Sequence, residues 1–292
     1  MSTAAAAPLT AAELELQEIR GPSALAGDFR RFLVLTRTIA LMDFKLRFFG
    51  SALGYVWQLM RPLMLFGVLY VMFAQILPVG GDLPSFGIAL LLGIVLFTFF
   101  SEATSGAVRC VVERENLVRK IQFPRMVIPM AVVLTACFNL ALNLVVVLIF
   151  AIGARVTPHW GWLALVPLVA LLVLFASGVA MLLSALYVRY RDIQPIWDVV
   201  LQAMFYGSLI LVPYETVVAK GYDTLASVLL CNPLAAVVQQ ARNLTIDPAY
   251  VDVPAAIGGG LRVLIPTAVL IGTFALGLWV FNREAPRIAE EL

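Results

Sequence analysis

Residues 109–125 read RCVVERENLVRKIQFPR, a charged stretch that separates two long apolar runs. Seven of its seventeen residues are charged, namely Arg109, Glu113, Arg114, Glu115, Arg119, Lys120 and Arg125. An apolar run of about twenty residues can cross a bilayer as a helix, and short loops rich in Lys and Arg stay in the cytoplasm. This stretch, here called the charged loop, therefore predicts a cytoplasmic turn between two membrane-spanning helices.

The composition places the chain among integral membrane proteins. Hydrophobic residues make up 62% of the 292 residues and charged residues only 13%, whereas about a quarter of a soluble domain is charged. The net charge of +2 implies no nucleic-acid partner. Three cysteines show neither zinc-site nor redox spacing, and we interpret them as apolar packing residues: Cys110, Cys137 and Cys231.

Apolar runs predict an all-α polytopic protein with six membrane-spanning helices. Five runs are strong, at residues 53–77, 86–108, 126–153, 162–187 and 261–281. The remaining one, residues 196–212, is interrupted by Asp198 and Gln202 and is short enough to be re-entrant. We favour a span whose polar residues face protein or water, because both would be costly against hydrocarbon.

The basic residues orient these predicted spans. With six spans, sixteen of the twenty Lys and Arg residues share the side of the charged loop, which predicts that both termini are cytoplasmic. If residues 196–212 did not cross, the count would be seventeen to three. The rule therefore orients the amino-terminal half and leaves both arrangements open for the carboxy-terminal half.

The amino-terminal region predicts a tail followed by an interfacial helix. Residues 1–28 are Ala-rich and acidic before Arg20, the reverse of a signal peptide, and predict a mobile cytoplasmic tail. Residues 29–52 place basic side chains among apolar ones, as is typical of a helix in the headgroup region. A solvated lead-in to the first span is the alternative. Residues 285–292 predict a second cytoplasmic tail.

The segment 213–260 lies outside on this topology but contains two apolar stretches, 225–230 and 234–238. Cys231, Asn232 and Pro233 break them, because a residue before proline avoids the helical region. Irregular backbone at membrane depth is tolerated only beside protein or water. The segment therefore predicts two short re-entrant helices and an external gate at Asn232 and Pro233. A plain external loop is the alternative.

Several kinds of active site are excluded by what the chain lacks. None of its three lysines lies in a phosphate-binding loop, so the chain does not bind ATP by that route. The one histidine, His159, has no partners for a catalytic triad or a metal cluster. Glu102 is the clearest intramembrane carboxylate, which makes a proton-coupled transporter a weak interpretation. We predict a transport protein with no metal site and no catalytic residues.

Aromatic side chains and one arginine within the predicted spans are candidates for lining a substrate path. Aromatic side chains within the spans can offer flat faces to sugar rings, namely Tyr55, Trp57, Phe97, Phe99, Phe100, Phe205 and Tyr206. Interfacial or lipid-facing positions are the alternative for each of them. Arg61 precedes Pro62 inside the first span, where a buried cation needs a partner such as a pyrophosphate or Glu102. Snorkelling to the inner headgroups is the alternative for Arg61.

Four motifs occur in an order and spacing that resemble the permease subunit of ABC polysaccharide and polyol-phosphate exporters, the group of O-antigen, capsule and teichoic-acid exporters. They are GSALGYVW at 50–57, NLVRK at 116–120 with FPR at 123–125, YRDI at 190–193 and NP at 232–233. The resemblance covers residues 29–284. One departure is GSLILVP at 207–213, where the family pattern has a Ser-Pro-Ile or Thr-Pro-Ile step.

The resemblance implies a homodimer in the bacterial inner membrane, bound to two separate ATPase subunits that hold the ATP and magnesium. It implies that a lipid-linked glycan passes along a dimer interface formed mainly by the first and fifth spans. On this hypothesis the charged loop contacts the ATPase through Glu113, Arg114, Glu115, Arg119, Lys120, Pro124 and Arg125. Charges that only orient the chain are the alternative for that loop. The turn at Arg191 and Asp192 would also be cytoplasmic.

The sequence thus predicts the transmembrane half of an ABC exporter for a lipid-linked polysaccharide, with no cofactor on this chain. A permease for a small lipophilic compound is the nearest alternative. A membrane-embedded glycan-processing enzyme would need a carboxylate or metal constellation, and none is evident in the sequence. A passive channel fits poorly with a charged turn that could contact an ATPase.

Overall fold

The computed structural model describes residues 29–48, 54–77, 79, 83–115, 124–156 and 159–285. Within these ranges the protein is helical and contains no strand, which confirms the all-α prediction. The predicted tails, Arg119, Lys120 and the NLVRK motif lie outside the described residues. The helices are α1 (Phe29–Phe48), α2 (Gly54–Tyr70), α3 (Phe86–Glu113), α4 (Val127–Gly153), α5 (Leu165–Arg189), α6 (Ile193–Gly207), α7 (Tyr214–Ala219), α8 (Asp223–Leu229), α9 (Pro233–Thr245), α10 (Val253–Ala256) and α11 (Leu264–Glu284).

Five helical segments of the described chain are long and apolar enough to cross a membrane. They are Val56–Ile76, Phe86–Glu113, Val127–Gly153, Trp160–Arg189 and Gly260–Glu284. These segments coincide with the five strong apolar runs. The first includes a π-helical turn, Val71–Ile76, at the end of α2, and the last two begin with 3-10 turns at Trp160–Ala164 and Gly260–Val263.

The sixth predicted span is helical only in part. α6 has 15 residues, a length of about 22 Å at the rise of an α-helix, whereas the hydrocarbon layer is about 30 Å thick. The helix ends at Gly207, and Leu209 takes up a left-handed conformation with a φ of 55°. Residues 208–211 continue as irregular, buried backbone. The predicted span 196–212 is therefore a short helix joined to a buried turn.

α3 is the central helix of the bundle. It is apolar on nearly all sides, as expected for a helix surrounded by protein, and 18 of its 28 residues are buried. α4 and α5 pack on it, while α11 lies on the far side of α5. α2 and α11 are peripheral, since 6% and 17% of their spans are buried.

α5 and α11 approach closely through two glycines. A side chain on Gly277 of α11 would collide with the backbone of Gly178 of α5, and one on Gly178 would collide with the backbone of Phe274. Small residues at a helix interface allow membrane helices to pack backbone against backbone. This contact fixes the last span to the bundle.

α1 packs along α4 through one stripe of residues. Phe32, Thr36 and Ala40 are buried at intervals of four, the spacing of one helix face. Thr135 of α4 donates a hydrogen bond to the Ala40 carbonyl oxygen at 3.3 Å, and the Phe44 ring meets the Phe138 ring edge-on at 5.6 Å. These contacts advance in the same direction along both helices. A helix is confirmed over 29–48, residues 49–52 of the predicted interfacial helix lie outside the described residues, and its place in the headgroup region stays a prediction.

The segment 213–260, which the sequence predicts to be external and which is here called the external segment, contains the predicted break between two short helices. α8 and α9 meet at an angle of 104°. Asn232 caps α9, because its side-chain oxygen accepts a hydrogen bond from the Leu234 amide at 3.1 Å, and Pro233 occupies the first turn, where its missing N–H leaves no bond unmade. The geometry is that of a broken span or a re-entrant loop.

Candidate functional site

A cavity of about 470 Å³ opens between α2, α3 and α6. Four of the residues predicted to line a substrate path border it: Arg61, Phe97, Phe205 and Tyr206. They come from three helices that are far apart in sequence. We call this space the path cavity.

The path cavity combines aromatic rings with polar groups. The Phe97 and Phe205 rings meet edge to face with centroids 4.9 Å apart, and the Phe205 and Tyr206 rings do so at 5.5 Å. The α3 wall carries a polar stripe at helical spacing: Thr98, Ser101, Glu102 and Ser105. The sequence analysis missed this stripe, although its i, i+3, i+4, i+7 spacing was visible in the residue order.

Three other predicted aromatic residues, Trp57, Phe99 and Phe100, do not line this cavity. Phe100 is completely buried and stacks on Phe175 at 5.2 Å, and Phe99 is also buried in the core. Trp57 is 56% exposed on the outer face of α2. The Tyr55 side chain lies outside the described part of the structure. Residues 97, 99 and 100 diverge because each step along an α-helix turns the side chain by about 100°.

Glu102 joins four helices at the edge of the path cavity. Its carboxylate accepts hydrogen bonds from Asn139 of α4 at 2.7 Å and from Gln58 of α2 at 3.4 Å and 3.5 Å. It also forms an ion pair with Arg47 of α1. The sequence analysis had suggested Glu102 as a partner for Arg61. In the described residues Glu102 pairs with Arg47 instead, and Arg61 forms no ion pair there.

Arg242 is an internal cation that the sequence analysis had counted only as an external charge. It lies on α9 and is completely buried. Its guanidinium donates hydrogen bonds to the carbonyl oxygens of Leu209 at 2.7 Å, Ile210 at 2.8 Å and Ala89 at 3.3 Å. These bonds satisfy the irregular backbone beyond α6, which has no helical partners of its own. Arg242 thereby joins the end of α6 to α3 and α9.

Glu215 and Tyr250 connect the other external helices. The Glu215 carboxylate accepts hydrogen bonds from the Gln239 side chain and the Val251 amide, both at 2.7 Å. The Tyr250 hydroxyl donates to the Pro84 carbonyl oxygen at 3.1 Å. Burial raises the pKa of the Tyr250 phenol to about 12. The Tyr250 hydrogen bond thus joins the external segment to the start of α3, and the Glu215 hydrogen bonds connect parts of the external segment to one another.

Comparison with known proteins places this architecture in a family. Residues 34–245, nearly three quarters of the chain, match the ABC-2 type transporter family. The chain belongs to this family. Its members are transport components rather than enzymes, and membership implies a partner subunit that binds ATP. The protein is thus a multi-pass transport subunit of the bacterial inner membrane.

This ABC-2 type subunit has several curated relatives. It is 26% identical over 255 residues to the O-antigen export system permease protein RfbA of Klebsiella pneumoniae, covering 86% of this chain and 92% of the relative. It is 26% identical over 211 residues to RfbA of Myxococcus xanthus, covering 72% and 79%. It is 24% identical over 225 residues to the polysialic acid transport protein KpsM of Escherichia coli, covering 75% and 83%.

The charged loop of this ABC-2 type subunit is described at its two ends. Glu113 is exposed, whereas Arg114 and Glu115 are half-buried. Arg114 forms an ion pair with Asp43 of α1, which is the second ion pair between α1 and α3. Pro124 is buried, and Arg125 is only 7% exposed. Of the described residues proposed to contact the ATPase, Glu113 is therefore the one with an exposed charge, and Arg109 at the start of the loop is exposed as well.

The predicted cytoplasmic turn between α5 and α6 lies at the surface of the ABC-2 type subunit. Arg191 and Asp192 are both exposed, and the Arg191 guanidinium lies over the Tyr187 ring at 5.1 Å. Arg109 at the end of α3 donates a hydrogen bond to Gln194 near the start of α6. This bond joins the side of the charged loop to the helix that borders the path cavity.

No group of three or more His, Cys, Asp or Glu residues in the described ranges could hold a metal ion. The same ranges assemble Glu102 with an arginine and two amides, an arrangement that binds and orients a carboxylate. In chemical terms the path cavity offers one cation, Arg61, together with hydroxyl groups and aromatic rings.

Proposed function

We propose that this chain is the transmembrane subunit of an ABC exporter that moves a lipid-linked polysaccharide or a related polymer across the inner membrane. It acts as a homodimer with two ATP-binding subunits, which bind the ATP and magnesium and supply the energy. Both termini face the cytoplasm. The family match and the names of the O-antigen and polysialic acid relatives support this cargo.

The observation that carries the proposal is a polar face on two peripheral helices. Arg61 on α2 and Asp198, Gln202 and Tyr206 on α6 are all exposed in the single chain. Charged side chains facing hydrocarbon are costly, so such residues usually face protein or water. A second copy placed against α2 and α6 removes that cost. The two path cavities then face each other across the dimer interface.

The chemistry of the path cavity suits a glycan on a phosphate carrier. The Phe205 and Tyr206 rings present flat surfaces to the C–H faces of sugars, and packing of this kind has no strict sequence requirement. Ser101, Ser105 and Gln202 supply hydrogen-bonding groups that sugar hydroxyls can use. Arg61 supplies a permanent positive charge for a phosphate or pyrophosphate.

The charged loop is the proposed contact with the ATP-binding subunit. Its first five residues, 109–113, form the end of α3, and α3 forms one wall of the path cavity. A displacement of the loop by the partner is therefore transmitted along a single helix to the substrate. Arg114 and Asp43 extend this connection to α1.

Reconstitution tests the function as a whole. The chain is co-purified with its ATP-binding subunit, placed in proteoliposomes and supplied with a lipid-linked glycan. We expect the glycan to stimulate ATP hydrolysis and to become accessible on the opposite side of the membrane. Stimulation by small lipophilic compounds without any effect of the glycan would instead support the alternative cargo.

Cysteine crosslinking tests the homodimer separately. In a variant lacking Cys110, Cys137 and Cys231, Tyr206→Cys should form a disulfide between two copies under oxidation. The control is Ile149→Cys, which is exposed on α4 rather than α6. Equal crosslinking by both variants would contradict an interface built from α2 and α6.

A further inference from the structure

The ion pair between Arg47 and Glu102 separates two cavities. The path cavity lies on one side of it, and a cavity of about 260 Å³ lies on the other, between α1, α3 and α4. Among the residues that the structure describes, Glu102 alone lines both of these spaces. Arg47 borders the smaller cavity, while Arg61 borders the path cavity. The carboxylate thus lies between two arginines from different helices.

We propose that Glu102 is an internal competitor for Arg47, displaced when a phosphate or diphosphate group enters the path cavity. Arg47 then becomes a second cationic ligand for that group, beside Arg61. The inference rests on the proposed function, because it assumes an anionic head group on the transported lipid. It assigns to α1 a direct part in substrate binding.

The surroundings of Glu102 fit such an exchange. A carboxylate that loses its arginine needs other donors to remain solvated in a partly buried place. Asn139 and Gln58 supply neutral N–H donors to the same carboxylate, and neither depends on Arg47. Arg47 can therefore leave while Glu102 keeps two partners. The Arg47 side chain is also 45% exposed, so it is free to change its rotamer.

The charge balance favours the path cavity as the place of binding. The smaller cavity is lined by three acidic residues, Asp43, Glu102 and Glu113, against the two cations Arg47 and Arg114. The path cavity has Arg61 opposite Glu102. A phosphate is therefore repelled by the smaller cavity and attracted to Arg61. Recruitment of Arg47 brings a second positive charge to the anion.

The exchange has a consequence for the rest of the subunit. α1 is held to α3 by two ion pairs, Arg47 with Glu102 and Arg114 with Asp43. When the Arg47–Glu102 pair is lost, the Arg114–Asp43 pair remains, at the end of α3 beside the charged loop. Occupation of the path cavity thereby loosens α1 on the side where the ATP-binding subunit is proposed to dock.

Equilibrium binding tests the competition. The purified complex with its ATP-binding subunit is placed in nanodiscs of zwitterionic lipid, and the Kd is measured for radiolabelled farnesyl diphosphate. We expect Glu102→Gln to lower the Kd by about tenfold, because a competing charge-assisted hydrogen bond is removed. Arg47→Gln should raise the Kd, and Arg47→Lys should restore part of the affinity.

The matched control is Asp43→Asn, which breaks the other ion pair between the same two helices without touching the path cavity. It should leave the Kd unchanged. A purely structural role for the Arg47–Glu102 pair predicts that Glu102→Gln weakens binding or leaves it unchanged, and either result would overturn the proposal. An equal gain in affinity from Asp43→Asn would also overturn the proposal, because a general loosening of α1 would then explain the gain without any competition for Arg47.

Two further binding measurements identify the source of the anion. Competition by soluble pyrophosphate tests a free head group, and nanodiscs that contain phosphatidylglycerol test a bulk anionic lipid. We expect farnesyl diphosphate to be displaced by pyrophosphate and little affected by phosphatidylglycerol. Wild-type transport of the lipid-linked glycan with no effect of Glu102→Gln on the Kd would refute the competition alone. Absence of glycan transport would refute the proposed function.

Discussion

The Arg242 guanidinium donates a hydrogen bond of 2.7 Å to the carbonyl oxygen of Leu209, at the point where α6 stops being helical. A cation in the interior of a membrane protein normally pairs with an acid or marks a path for ions. Here the cation binds backbone oxygens, which a broken helix leaves without partners. The contact explains how a non-helical turn is tolerated inside the bundle.

Replacement of Arg242 by Gln should strongly destabilise the subunit. The variant leaves buried carbonyl oxygens without a donor, and we expect a loss of about 3–5 kcal/mol in the free energy of unfolding, the usual range for removing one partner of a buried charged interaction. Thermal unfolding in detergent measures the loss. Arg262→Gln is the control, because Arg262 is an exposed cation of the same external region. Equal stability of both variants would contradict the role of Arg242.

Gly277→Ala should weaken the packing of α11 on α5. The added methyl group collides with the backbone of Gly178, and overpacking of this kind typically costs about 1–3 kcal/mol. Gly272→Ala on the same helix has open space around the new methyl group, so we expect no loss and a small gain from helix propensity. Thermal unfolding of the two variants side by side gives the comparison. A neutral Gly277→Ala variant would show that the two helices can separate freely.

Five membrane-spanning helices could be predicted from the sequence because each depends only on the length and polarity of one run. The end of α6 could not, since the donors that stabilise Leu209 and Ile210 come from Arg242, more than thirty residues later in the chain. Charge counting placed Arg242 outside because it treats every arginine as solvated. The burial of Arg242 depends on contacts with residues far away in the chain, which the neighbouring sequence does not reveal.

The residue types of the candidate site could be proposed from the sequence, but the arrangement of these residues in space could be predicted only in part. Arg61, Phe97, Phe205 and Tyr206 share the path cavity, as their residue types suggested. Phe100 belongs to the core because Phe175 packs on that side of α3. Which residue packs against a helix face depends on the fold and is not visible in the local sequence. The pairing of Glu102 with Arg47 rather than Arg61 has the same cause, since it depends on the position of α1 along α4.

Arg61→Ala should reduce export far more than it reduces assembly. Arg61 is exposed to the path cavity and holds no ion pair among the described residues, so its loss leaves the packing intact. Loss of a hydrogen bond to a charged head group corresponds to at least about a tenfold fall in transport. Transport in proteoliposomes and the yield of the complex are measured together. The exposed α1 residue Arg37 supplies the control variant Arg37→Ala, and full export by Arg61→Ala would leave Arg61 as a headgroup anchor.

Glu113→Lys should impair coupling to the ATP-binding subunit. Glu113 is an exposed charge of the charged loop, and its reversal changes the surface that a partner meets. Arg125 is less suitable for this test because it is buried, so that its reversal would disturb the fold. We expect a loss of glycan-stimulated ATP hydrolysis with normal insertion. Lys220→Glu, a charge reversal of the same size and opposite sign on the external segment, should have no effect on coupling.

Because the pKa of Tyr250 is raised, we expect the stability of the subunit to fall at alkaline pH. Burial raises the pKa of its phenol from 10.0 to about 12, so the folded state holds the proton more tightly than the unfolded chain does. Its stabilising contribution is complete below pH 10 and is lost as the pH rises towards 12. Tyr250→Phe should remove this part of the decline when unfolding is followed across that range. An unchanged pH profile would mean that Tyr250 is accessible to solvent.

The glycine contact between α5 and α11 also bears on biogenesis. α11 is the last of the described helices to leave the ribosome, yet the α5 surface that receives it is synthesised about one hundred residues earlier. A backbone-to-backbone fit cannot be replaced by an approximate neighbour, so α5 stays incompletely covered until α11 has been synthesised. A nascent chain that terminates before α11 therefore exposes that surface, which gives cellular quality control a means of recognising subunits that lack this helix.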